Sequence, residues 1–167
     1  MADTEQAGFA LLAQHGYQRY EISAFAQSGR GCRHNLNYWQ FGDYLGIGAG
    51  AHGKITQAAQ GAVHRHQKTR KPEDYLADAA HARRQHQPID RDDRLFEALL
   101  NGLRLVDGIA WQTLEQATGE PVSQWQNALA PFEQQGLLVT TDQRLACTDN
   151  GLRHLNGLLE KLAAALL

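Results

Sequence analysis

His34-Asn35-Leu36-Asn37-Tyr38-Trp39 is followed a few residues on by Tyr44-Leu45-Gly46-Ile47-Gly48-Ala49-Gly50-Ala51-His52-Gly53. Together the two stretches set a histidine and two aromatics beside a glycine-dense loop. Gly46, Gly48 and Gly50 come directly after an apolar Tyr-Leu, and residues without Cβ let backbone press close to a ligand. The first stretch predicts a short helical turn over His34 to Trp39. The second predicts a buried strand over Tyr44 to Gly48 that ends in a pocket wall. The loop departs from the dinucleotide and P-loop spacings, so the phosphate-cradle signal is weak.

Upstream, residues 4 to 15 place Phe9, Leu11 and Leu12 among helix formers and stop at Gly16, as a helix with a left-handed glycine cap does. Tyr17 to Phe25 alternates in the manner of one strand, and Gln27 to Gly31 reads as a turn. Downstream, Lys54-Ile55 and Val63 to His66 flank Gln60-Gly61 and predict a hairpin. Pro72, with Glu73 and Asp74 in the first turn, opens a helix to about Arg84.

The chain then changes character. Residues 1 to 91 hold eleven Lys/Arg against eight Asp/Glu and seven of the eight histidines, whereas residues 92 to 167 hold five against ten. A seam is expected in the polar run Arg84 to Arg91. Beyond it, Asp92 can cap a helix with Leu95, Phe96, Leu99, Leu100 and Leu103 on one face. Ile109 to Ala117 and Pro121 to Gln135 predict two more helices, the latter with Trp125, Leu129 and Phe132 on one face. Leu137 to Thr141 and Arg144 to Cys147 predict two strands, and Thr148 caps a leucine-rich last helix. The fold class is α+β, with a winged-helix-like second unit.

Charge bears on partners. Duplex binding needs Lys or Arg against phosphates, and the helix from Pro121 has none, so no nucleic acid is expected as a partner. No apolar run approaches the length of a membrane helix and no charged-then-apolar leader is present, which predicts a soluble, cytoplasmic chain. Cys32 and Cys147 lie far apart without ligand spacing, so two free thiols are expected rather than a disulfide or a zinc site.

Each site candidate has a structural alternative. His34 can ligate a metal or a heme iron through a neutral imidazole, or with Asn35 satisfy backbone groups after the Gly29 to Gly31 turn. Tyr38 and Trp39 can stack on a flat ligand or simply pack. His64 and His66 share a strand face; that makes a two-ligand metal site conceivable, but with no carboxylate or thiol nearby a solvated hairpin face is the favoured reading. No metal-ligand set is assigned. His15, His81, His86 and His154 read as surface residues.

Tyr20-Glu21-Ile22-Ser23-Ala24-Phe25-Ala26, the HNxxYW string at 34–39, the loop at 44–53 and Asn101-Gly102-Leu103-Arg104-Leu105-Val106-Asp107-Gly108 resemble the carboxy-terminal part of the HemW family. These are radical S-adenosylmethionine proteins related to oxygen-independent coproporphyrinogen III oxidase. The resemblance implies three segments. Residues 1–66 would be the end of a partial (β/α) barrel with a hairpin, 67–91 a helical linker, and 92–167 a HemN-type carboxy-terminal winged-helix-like domain. It implies a heme chaperone that passes heme to a respiratory enzyme, with the oxidase and a plain interaction module as alternatives. His34 would contact heme between walls of Tyr38 and Trp39, and Ala51 and His52 would contact S-adenosylmethionine. The family's four-iron four-sulfur cluster sits on a CxxxCxxC motif, which this chain does not contain. The chain is therefore expected to be a fragment without radical chemistry of its own, prone to self-association through exposed barrel edges.

Overall fold

The computed structural model describes residues 2–77 and 83–167. Helix α1 (Ala2–Gln14) ends as anticipated, with Gly16 at φ +77. The alternating stretch after it is a hairpin rather than one strand: β1 (Tyr17–Glu21) runs antiparallel to β2 (Ala24–Gln27), with Arg19 opposite Phe25. Glu21 causes the reversal. Its carboxylate accepts from the Ser23 backbone N–H at 3.0 Å and hydroxyl at 2.7 Å, which holds the chain in a turn that period-2 alternation does not reveal. The helical turn over the HNxxYW string forms as α2 (Arg33–Trp39).

The buried strand over Tyr44 to Gly48 does not form. Tyr44 makes a single antiparallel bridge to Lys54, while Leu45 and Ile47 are 78% and 86% exposed. Gly48 at φ +103 and Gly50 at φ +72 end the extended run, and the chain doubles back on itself. A Cβ on Gly46 would sit 2.1 Å from the His52 carbonyl oxygen. The glycines thus serve a self-crossing of the backbone.

The hairpin beyond is longer than anticipated, β3 (His52–Gln57) with β4 (Ala62–Lys68), and β5 (Arg83–Ile89) pairs with the other edge of β4. Helix α3 (Pro72–Ala77) opens at Pro72. Of the helix anticipated to Arg84, residues 78–82, His81 included, lie outside the described residues, and from Arg83 the chain is strand. The supposed helical linker and polar seam therefore supply a sheet strand. Backbone pairing to β4, not an apolar pattern, determines it.

Helix α4 (Arg91–Gly102) is capped by Asp90, not Asp92: the Asp90 carboxylate accepts from Asp93 N–H at 2.8 Å. Strand β6 (Ile109–Ala110) precedes α5 (Trp111–Thr118), so this helix starts two residues late. A 3-10 turn at Val122–Gln124 leads into α6 (Gln126–Gln134), then β7 (Leu138–Thr140) and β8 (Arg144–Cys147), in a sheet of order β6-β8-β7. Thr148 caps as anticipated, but the last helix divides into α7 (Asp149–Arg153) and α8 (Leu155–Leu166). The core is continuous here. Leu95, Leu99, Leu114, Leu129, Leu145, Leu158 and Leu162 are buried together.

All strand pairings among the described residues are antiparallel, and α1 is followed by two hairpins with α2 between them. They are bolted to the second unit. Ile22 N–H donates to Arg104 O and Val106 N–H to Tyr20 O. Glu21, 2% exposed, meets the Arg104 guanidinium at 3.3 Å.

Candidate functional site

Helix α2 sorts the HNxxYW residues by face. His34 and Tyr38, four apart and so on one side, are both exposed, whereas Trp39 is half-buried. The Tyr38 ring meets Trp39 edge-on at 5.3 Å and Tyr44 at 5.2 Å, so an aromatic cluster joins α2 to the start of the glycine loop. On Trp39 lies the Arg104 guanidinium, 4.5 Å from the ring centroid, a cation–π contact. Trp39 thus packs against the second unit. The exposed face of α2 carries His34 and Tyr38.

Beneath α2 sits a group that sequence reading passed over. Lys54, 4% exposed, donates to the Phe41 carbonyl at 2.6 Å, lies 3.6 Å from the Phe41 ring centroid and 3.7 Å from the Asp43 carboxylate. Phe41 takes φ +59 to present that carbonyl, a conformation uncommon outside glycine. Burial pushes the Lys54 pKa below its ordinary range, with Asp43 and Glu97 opposing. Burial, and then the neighbouring Tyr38, push the Tyr44 hydroxyl up to about 12. The available signals were a lysine between Gly53 and Ile55 in a half-buried strand and an arginine set among leucines at 103–105.

Ala51 and His52 part company. Ala51 lines a cavity of about 170 Å³ with Tyr44, Leu45, Gly46, Gly53, Ile55, His66 and Lys68, while His52 is exposed opposite Gln67. Ala51 already donates to Gly48 O and accepts from Lys68 N–H. That cavity is below the roughly 300 Å³ at which small-molecule pockets begin, so these residues alone do not fit S-adenosylmethionine. Nor do the thiols fit an iron–sulfur cluster, which needs several closely placed thiolates. Cys32 is exposed, whereas Cys147 is buried, with its thiol pushed up to about 12. Among the described residues no group of three or more His, Cys, Asp or Glu side chains is placed to hold a metal ion. None of their helices is long and apolar enough to cross a membrane.

The unit built on α4 to α7 matches a known family over residues 89–154, the HemN C-terminal domain. The likeness extends beyond it. The chain is 40% identical to the heme chaperone HemW of Haemophilus influenzae, over 95% of this chain and 40% of that protein. It is 38% identical to the heme chaperone HemW of Escherichia coli, over 97% and 42%. It is 34% identical to the mitochondrial radical S-adenosyl methionine domain-containing protein 1 of Bos taurus, over 99% and 39%. The chain thus spans about two fifths of the length of these relatives. The fold as a whole matches the radical SAM enzyme coproporphyrinogen III oxidase (HemN) of Escherichia coli, with a TM-score of 0.62 at 17% identity over 98% of this chain and 40% of that one. Within residues 89–154 α6 carries no Lys or Arg, and Arg144 of β8 already donates to Gly108 O at 3.1 Å.

Proposed function

We propose that this chain is the carboxy-terminal part of a HemW-like heme chaperone. Residues 1–66 would carry the heme-contacting face, 67–91 the connection and 92–167 a winged-helix-like base. Heme is its cargo, and a respiratory heme enzyme in or at the cytoplasmic side of the membrane is the acceptor. The observation that carries the reading is 36–40% identity to proteins named heme chaperone HemW over more than nine tenths of the chain.

The chemistry of α2 supports it. The exposed His34 imidazole offers a nitrogen to heme iron, and Tyr38, one turn on, offers a ring to the macrocycle, with Trp39 behind it. A ligand held at a surface rather than in a closed pocket is desolvated incompletely, which favours release to an acceptor over permanent retention. S-adenosylmethionine and the four-iron four-sulfur cluster belong to the complete protein, with Ala51 and His52 at the edge of that site. Nucleic acid is not a partner, because the electrostatic term for phosphate is missing on α6.

Hemin titration of the chain, followed at the Soret band, tests this reading. His34→Ala should shift the band and weaken binding by about tenfold or more. An unchanged spectrum and affinity would remove His34 from the site.

A further inference from the structure

The sheet β3-β4-β5 has two faces. One carries Lys54, Val63 and Ile89 into the interior; the other carries three imidazoles. His66 of β4 stands directly opposite His86 of β5, with Nδ1 to Nδ1 at 3.0 Å. His64, two residues before His66, stacks flat on His86 at 4.5 Å between ring centroids and 7° between planes. The Nδ1 of His64 is buried without a hydrogen-bond partner. Gly53 lies opposite His66 on the other side, beneath the backbone of Tyr44 to Gly46, and the cavity of about 170 Å³ borders His66 there.

We propose that His66 and His86 form a chelating site for a divalent transition-metal ion of the copper or nickel type. Two neutral imidazole nitrogens this close share one proton between their lone pairs. A metal ion displaces that proton, which passes by way of solvent to Nε2 of the same ring, so that both rings stay neutral and each Nδ1 offers its lone pair to the ion. With metal–nitrogen bonds of about 2.0–2.1 Å, nitrogens 3.0 Å apart subtend roughly 95° at the ion. That angle suits neighbouring positions of a tetragonal copper(II) or nickel(II) centre rather than the wider angle of tetrahedral zinc. Heme iron is excluded for the pair, because its two axial nitrogens stand about 4 Å apart on opposite sides of the porphyrin. The stack of His64 on His86 holds one ring plane before the ion arrives, so less ordering is needed on binding. Water in the cavity of about 170 Å³ beside His66 completes the coordination.

The test is copper(II) titration of the chain without hemin, read by electron paramagnetic resonance and by calorimetry. The parent should show hyperfine coupling to two imidazole nitrogens. His66→Gln and His86→Gln should each lose one nitrogen from the spectrum and weaken binding by about tenfold or more, since the advantage of linked donors is gone. His34→Ala should leave both readouts unchanged, which separates this site from the heme face. Circular dichroism of each variant establishes that the sheet persists. If His86→Gln keeps the parent spectrum and affinity, the ion is held elsewhere and the proposal is overturned.

Discussion

Cys147 provides a test of how well the second core is sealed. Its side chain is 6% exposed, at the end of β8, and burial holds its thiol protonated to about 12 instead of the ordinary 9.0. The unfolded chain releases this proton first, so between those values the folded state binds more protons. The contribution to stability is complete below pH 9 and is lost as pH climbs toward 12. Each pH unit in that window costs about 1.4 kcal/mol, hence about 2 kcal/mol by pH 10.5 and a ceiling near 4 kcal/mol. Tyr44 acts in the same direction, and the lowered pKa of Lys54 acts in the opposite one; both remain in a Cys147→Ala variant and cancel in the comparison. At pH 7.5 that variant should be less stable by about 1 kcal/mol, from the small cavity it leaves. By pH 10.5 the order should reverse, the variant being more stable by about 1 kcal/mol. Urea unfolding of both proteins at half-unit steps of pH, anaerobically with reductant, measures it. A difference that stays constant across the series would refute the buried, protonated thiol.

Arg104→Ala should cost about 2 kcal/mol, less than the loss of a fully buried pair because the guanidinium is partly exposed, and should change the fluorescence of Trp39 through loss of the stacked cation; unaltered emission would argue against the contact. Gly108→Ala should be far worse than Gly119→Ala. Both glycines have positive φ, but a Cβ at 108 meets the Leu145 carbonyl at 2.1 Å while at 119 it meets nothing within 4 Å. About 1 kcal/mol of backbone strain is expected at 119 and at least about 2 kcal/mol more at 108, read as melting temperatures.

Elements whose apolar residues repeat at helical spacing were legible. The face of α4, the cluster on α6 and the leucines of α8 follow from the 3.6-residue period, while Gly16 marks the end of α1 and Thr148 the start of α7 chemically. The misreadings have a common origin in non-local causes. Strand β5 is polar, with Gln87 and His86 exposed, and exists because β4 offers it a backbone edge. The apolar letters of Leu45 and Ile47 suggested burial, but steric crossing at Gly46 and His52 turned them outward. At the candidate site, α2 and its His34 could be read from the string itself, whereas the imidazole pair could not. His66 and His86 are twenty residues apart, and only strand register brings them face to face.

Glu21, Arg104 and Trp39 are joined by two contacts that run from the first hairpin through the second unit to α2. The pose of α2 is therefore inherited in part from a residue 65 positions downstream of Trp39. Swapping residues 89–154 between relatives is then not a neutral exchange of modules. An incoming domain without a guanidinium at position 104 would leave a buried carboxylate with the Ser23 hydrogen bonds but no cation and an indole uncovered, and the imidazole at 34 would lose its aim although no residue near it had changed.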